Sequence, residues 1–95
     1  MIMAIVERRF PPEKVDDMAR LLVELRRRRV KHSGCISSES LRSVTDHSLW
    51  IDISTWTYGD QWKQWKAAPE RKEIQSEIER LLLTSEEVSI FDIVR

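Results

Sequence analysis

The sequence predicts an α+β domain of the ferredoxin-like type, with elements in the order β-α-β-β-α-β. Three observations carry that prediction. Apolar residues alternate in four short runs and recur at helical spacing in two longer ones. The two middle alternating runs are separated by a four-residue polar turn, which reads as a β-hairpin. Strand-helix-strand units therefore flank a central hairpin, the split βαβ arrangement, in which one antiparallel four-stranded sheet carries both helices on one face.

The opening run, Ile2 to Phe10, alternates in two sets that both begin apolar and end charged, Ile2-Ala4-Val6-Arg8 and Met3-Ile5-Glu7-Arg9. Such a strand is covered on both faces for most of its length, and Pro11-Pro12 stops it because proline cannot donate to a ladder. A helix follows from Pro12 to about Lys31. Glu13, Asp16 and Asp17 stand at its positive end and Arg26 to Arg29 at its negative end, as the macrodipole favours. Its apolar stripe is Val15, Met18, Ala19, Leu22 and Leu25, the arginine run reads as a solvated helix end, and Gly34 supplies a left-handed cap.

Cys35 to Val44 and Leu49 to Trp56 form the hairpin about Thr45-Asp46-His47-Ser48. In the second strand Leu49, Ile51 and Ile53 alternate with Trp50, Asp52, Ser54 and Trp56, and the aliphatic set reads as the core face. At Thr57 the pattern breaks. Thr57 and Asp60 form a capping-box-like pair opening a short helix to Lys66, and Pro69 opens a further segment to about Leu83 with the stripe Ile74, Ile78, Leu81 and Leu82. Glu86 to Val94 closes the chain as a strand. Aliphatic residues on both strand faces imply that the sheet face away from the helices is also covered, and a second copy of the chain joined sheet to sheet is the expected partner.

Ninety-five residues with 41% hydrophobic and 34% charged content describe one globular domain, residues 1–95. Sixteen basic and sixteen acidic residues cancel, so nothing draws the chain toward nucleic acid or an anionic membrane. The single Cys35 cannot form an intrachain disulfide, and the charge order at the start is the reverse of a signal peptide's; both point to the cytoplasm. No phosphate loop, metal-ligand cluster, nucleophile–base spacing, or flavin or nicotinamide motif occurs, so no cofactor is expected.

The candidate functional residues lie mostly around Ser48 to Arg71, which holds all four tryptophans. Trp62 and Trp65 share one helix face and read either as a stacking platform for a flat aromatic ligand or as a cap on the core. Trp56, at the strand-to-helix corner, reads as structural. Glu7 is the carboxylate on a strand expected beside such a pocket, where desolvation would fit it for proton abstraction; its plainer reading is an ion pair with Arg9 or Arg42. Asp52 is the weaker alternative, a mid-strand charge that needs a partner. His32 at a helix end and His47 in the turn are read as serving the dipole and the solvent.

Gly34-Cys35-Ile36-Ser37, Ile53-Ser54-Thr55-Trp56 leading into Trp62-Lys63-Gln64-Trp65, and Pro69-Glu70-Arg71 together resemble the antibiotic-biosynthesis monooxygenase superfamily of dimeric α/β barrels. The resemblance spans essentially the whole chain. It implies a homodimer and a cofactor-independent oxygenase acting on quinols or polyketide aromatics, or a non-catalytic module that binds an apolar ligand in the same pocket. A haem-degrading branch of the superfamily uses an Asn on the first strand, a Trp and an axial His. In that register Trp65 stands at the Trp, Gln75 at the His and Glu7 at or near the Asn, and the chain contains no Asn. Glutamine is a poor iron ligand, so the register favours an aromatic pocket formed by Trp62, Trp65 and Gln75 over a haem site.

Overall fold

The computed structural model describes all residues, Met1–Arg95. Strand β1 (Ile2–Arg9) is followed by a 3-10 turn (Pro12–Lys14) and helix α1 (Val15–Arg29). The hairpin strands are β2 (Cys35–Arg42) and β3 (Leu49–Trp56), then come α2 (Gly59–Ala67), α3 (Pro69–Leu81) and β4 (Glu87–Asp92). All pairings are antiparallel and the sheet order is β2-β3-β1-β4, the ferredoxin-like arrangement.

Register decides which face each side chain serves. Ile2, Ala4, Val6 and Arg8 stand opposite Trp56, Ser54, Asp52 and Trp50, and this set faces the helices. Met3, Ile5, Glu7 and Arg9 stand opposite Thr55, Ile53, Ile51 and Leu49 on the other face. The hydrophobic core lies between the first set and the helices: Ala4, Phe10, Met18, Trp56 and Ile78 are wholly inaccessible, and Leu22, Leu25, Trp62, Trp65 and Ile74 join them.

The aliphatic set Leu49, Ile51 and Ile53 is thus not the intrachain core face, against the sequence reading. It belongs to the open side of the sheet and is half-buried, whereas Asp52, Ser54 and Trp56 are buried. Alternation identifies two faces but does not say which of them the helices of the same chain will cover. The open side continues through Leu41, 46% exposed, and Phe91, 53% exposed, a broad apolar surface for a chain of this size.

Two local features differ from the expected ones. The N-cap of α2 is Tyr58 rather than Thr57: the Tyr58 N–H donates to Gln61 Oε1 at 3.0 Å, the reciprocal half of a capping box. Gly34 does not cap α1, which ends at Arg29 with Val30 as its C-cap; it has φ +90° in the turn before β2, and the Gln61 carboxamide fills the space a side chain would need. The chain therefore requires glycine there twice over, for backbone conformation and for the close approach of α2.

Candidate functional site

The three core tryptophans fill space rather than line it. Trp56 and Trp62 meet edge to face with ring centroids 6.0 Å apart, and Trp56 Nε1 donates to Ser54 Oγ at 2.9 Å. Trp65, 1% exposed, takes the edge of His32 at 4.8 Å. The His32 ring reaches Glu70 at 2.6 Å on the outer side of the helices. Hydrogen bonds to its own backbone N–H and to His32 hold the Glu70 carboxyl below its ordinary value. Trp62 and Trp65 are both part of the buried core cluster.

Under this layer runs a chain of buried charges. Asp52, 4% exposed, receives Arg29 in a two-pronged contact, NH1 to Oδ2 at 2.8 Å and NH2 to Oδ1 at 3.1 Å. Arg8 reaches Asp52 Oδ2 at 3.4 Å and donates through Nε to Glu86 at 2.6 Å. Arg29 also donates to Ser38 Oγ. This corrects two expectations. Arg29 is no part of a solvated helix end: it continues the stripe Leu22-Leu25 by one more turn and lies 3% exposed. Asp52 is no free base either, since two guanidiniums share its carboxylate.

Glu7 is parted from the tryptophans altogether. It follows Met3 and Ile5 on the open side of the sheet, pairing in register with Ile51 and Glu87, while the helices lie on the other side. A one-residue offset along a strand turns a side chain to the opposite face, and the sequence does not say which face of β1 meets the helices.

A smaller, wholly polar hollow of about 340 Å³ adjoins His32, and the larger cleft that carries apolar walls has none of the tryptophans in its lining. That cleft, of about 800 Å³, opens between α3, the segment Leu82–Glu86 and β4. Gln75, Arg71 and Glu79 from successive turns of α3 face it, with Lys66 at the end of α2 and Glu86 and Val88 across from them. Gln75 is 7% exposed; its Nε2 donates to Glu79 at 3.3 Å, while its buried Oε1 has no partner. Arg71 is 8% exposed, donates to the Lys66 carbonyl at 3.2 Å and makes no ion pair. Burial pushes the Arg71 guanidinium down from its ordinary pKa; Glu86 and Glu79 oppose this, and Arg8 and Arg29 reinforce it.

Of the candidate site residues Glu7, Asp52, Trp62, Trp65 and Gln75, Gln75 alone lines this cleft. Arg71, Glu79, Lys66 and Glu86 were not legible as a site. The signal that could have found Arg71 is its position one turn before Gln75 and three residues before Ile74, an arginine set within a buried stripe. Neither His32 nor His47 faces the cleft, and the position of the haem branch's ligand carries the Gln75 carboxamide, so these residues do not fit a haem-degrading centre. No helix is long and apolar enough to cross a membrane.

Comparison with known proteins gives a consistent frame. A family model described as antibiotic biosynthesis monooxygenase matches residues 1–77. Among solved structures, a conserved protein from Methanosarcina mazei Go1 aligns with TM-score 0.89 at 21% identity, over 95% of this chain and 89% of that one. An antibiotic biosynthesis monooxygenase aligns with TM-score 0.91 at 18% identity over all of both chains. SnoaB, a cofactor-independent oxygenase from Streptomyces nogalater solved as a point mutant, aligns with TM-score 0.87 at 14% identity, over 99% of this chain and 93% of that one. At these identities the likeness is one of fold. Among curated proteins no sequence match is found.

Proposed function

Because the chain belongs to the antibiotic biosynthesis monooxygenase family, we propose that it oxygenates a small aromatic substrate, a quinol or an anthrol-type phenol, bound in the cleft between α3 and β4. The observation that carries this reading is the cleft itself, a concave site of ligand size with apolar walls at Leu82, Leu83 and Val88 and a few convergent polar groups. Its two carboxylates differ in freedom. Glu86 is held by Arg8, which leaves Glu79 at the rim as the proton acceptor, in the role the sequence reading gave to Glu7 or Asp52.

Deprotonation of a phenol or of an acidic ring C–H leaves an electron-rich anion that reacts with dioxygen directly. For a ring methylene, Glu79 takes one proton, a carbon–oxygen bond forms to dioxygen and the peroxide is protonated. Loss of the second ring hydrogen with cleavage of the O–O bond leaves a carbonyl and one water. The substrate supplies all the electrons, so the protein's part is orientation and exclusion of bulk water. The open sheet side, with Ile5, Leu41, Ile51, Ile53 and Phe91, suits a second copy of the chain joined sheet to sheet, and covering it would also brace β4, the strand that closes the cleft.

An oxygen electrode with a panel of hydroquinones and anthrols tests the proposal. Uptake above the buffer rate, reduced at least tenfold by Glu79→Gln, is the expected result. Ligands that raise the melting temperature without oxygen uptake would make the protein a binding module, and no uptake with no ligand stabilisation would remove the reading.

A further inference from the structure

The cleft is lined by one buried guanidinium that no carboxylate of the chain touches. Arg8, Arg29 and Arg71 form one buried cationic group, and Asp52 and Glu86 are the carboxylates interleaved with it. Arg71 is the one of the three with no carboxylate in contact: Asp52 is shared by Arg29 and Arg8, Glu86 is taken by Arg8, and Arg71 has only the Lys66 carbonyl. Glu86 and the exposed Glu79 act on it through charge without touching it. A buried guanidinium with unpaired N–H groups is costly, and its planar fork matches a carboxylate in particular. Beside Arg71, one helical turn on, the unpartnered Gln75 Oε1 is an acceptor lacking a donor.

We infer that the ligand of this cleft is an aromatic monocarboxylate carrying a ring hydroxyl, its carboxylate held by Arg71 and its hydroxyl donating to Gln75 Oε1. The inference rests on reading the cleft as the substrate site. One unpaired planar fork with Glu79 and Glu86 in the same lining suits a singly charged carboxylate better than a phosphate dianion, and Leu82, Leu83 and Val88 provide the surface for the ring. The carboxylate also gives the site its direction. It fixes one end of the ring at Arg71, so the rest points along α3 toward Glu79 and the solvent.

Calorimetric titration under anaerobic conditions tests this apart from catalysis. The probes are 1-hydroxy-2-naphthoate, 2-methyl-1-naphthol, which lacks the carboxylate, and 1-methoxy-2-naphthoate, which lacks the hydroxyl proton. The hydroxynaphthoate is expected to bind at least tenfold tighter than either. Arg71→Gln should abolish its advantage over the methylnaphthol, and Arg71→Lys, which keeps a charge but not the planar fork, should retain only part of it. Thermal melts establish that the variants fold; if Arg71→Gln does not, Arg71→Lys decides, and a full preference in it overturns the inference. Equal binding of the probes, or no binding of any, overturns it too. Carboxylate preference without oxygen uptake supports this inference and sinks the oxygenase reading alone. Uptake on uncharged quinols without that preference does the reverse.

Discussion

Replacing Asp52 with asparagine perturbs the most concentrated charge arrangement in the fold. The wild-type carboxylate accepts from Arg29 at 2.8 and 3.1 Å and from Arg8 at 3.4 Å, and all three residues are at most 4% exposed. Asparagine keeps the shape but removes the charge and replaces one accepting oxygen with an NH2 group, leaving the Arg29 guanidinium with the amide oxygen and Ser38 Oγ. Losing one member of a buried pair costs about 3–5 kcal/mol, because the other charge stays desolvated. A domain of this length has a total stability of roughly 5–14 kcal/mol, so much of it would be lost. The melting temperature should fall by roughly 12 °C or more, at about 4 °C or more per kcal/mol. Urea denaturation gives the same quantity as a lower midpoint at unchanged slope. The double variant Asp52→Leu/Arg29→Met removes both charges, leaves Arg8 its contact with Glu86, and should be the more stable of the two. A loss below about 1 kcal/mol in Asp52→Asn, or a double variant less stable than the single one, would refute the reasoning that this pair is buried and coupled.

Other perturbations have equally definite outcomes. Gly34→Ala meets both a positive φ and the Gln61 carboxamide, so it should cost about 2 kcal/mol or more in a chemical melt; a neutral effect would mean that α2 does not approach the hairpin as described. Burial pushes the Cys35 thiol above its ordinary pKa of 9.0, with Arg29 opposing and Asp52 assisting. The folded state thus prefers the protonated thiol: its contribution to stability is complete below pH 9 and is lost as pH rises through the higher folded value. Ellman's reagent at about pH 8 should accordingly react much more slowly with the native chain than in urea, and equal rates would refute the burial. On the open sheet side, Ile53→Glu should convert a dimer of twice the 11.3 kDa chain mass to monomer in light scattering; an unchanged mass, or a monomeric wild type, would exclude the sheet-to-sheet pairing.

Element order and type were legible because each element carries a strong local signal. The stripe from Val15 to Leu25, the polar turn at Thr45–Ser48 and Pro69 at a helix start each specify backbone geometry over a few residues. The faces were less legible. In β3 the apolar residues line the open side, and the buried side carries Asp52 and Ser54, which are acceptable there because Arg29, Arg8 and the Trp56 indole satisfy them. The two arginines are 23 and 44 residues away from Asp52 in the chain, a distance at which local pattern says nothing. Arg29 and Arg71 were hidden for the same reason, as each looks like one more surface cation until its helix is turned toward the sheet. Gln75 came into view through a family register, and its burial beside Arg71 followed only from the way α3 packs.

The most direct test of the account is turnover of a hydroxylated aromatic carboxylate with a reactive ring C–H under ¹⁸O-labelled dioxygen, with mass analysis of the product. One labelled oxygen atom is expected in each product molecule, the second leaving as water, with little product from Glu79→Gln or Arg71→Gln. Product oxygen derived from solvent, or label incorporation that both variants leave untouched, would contradict it.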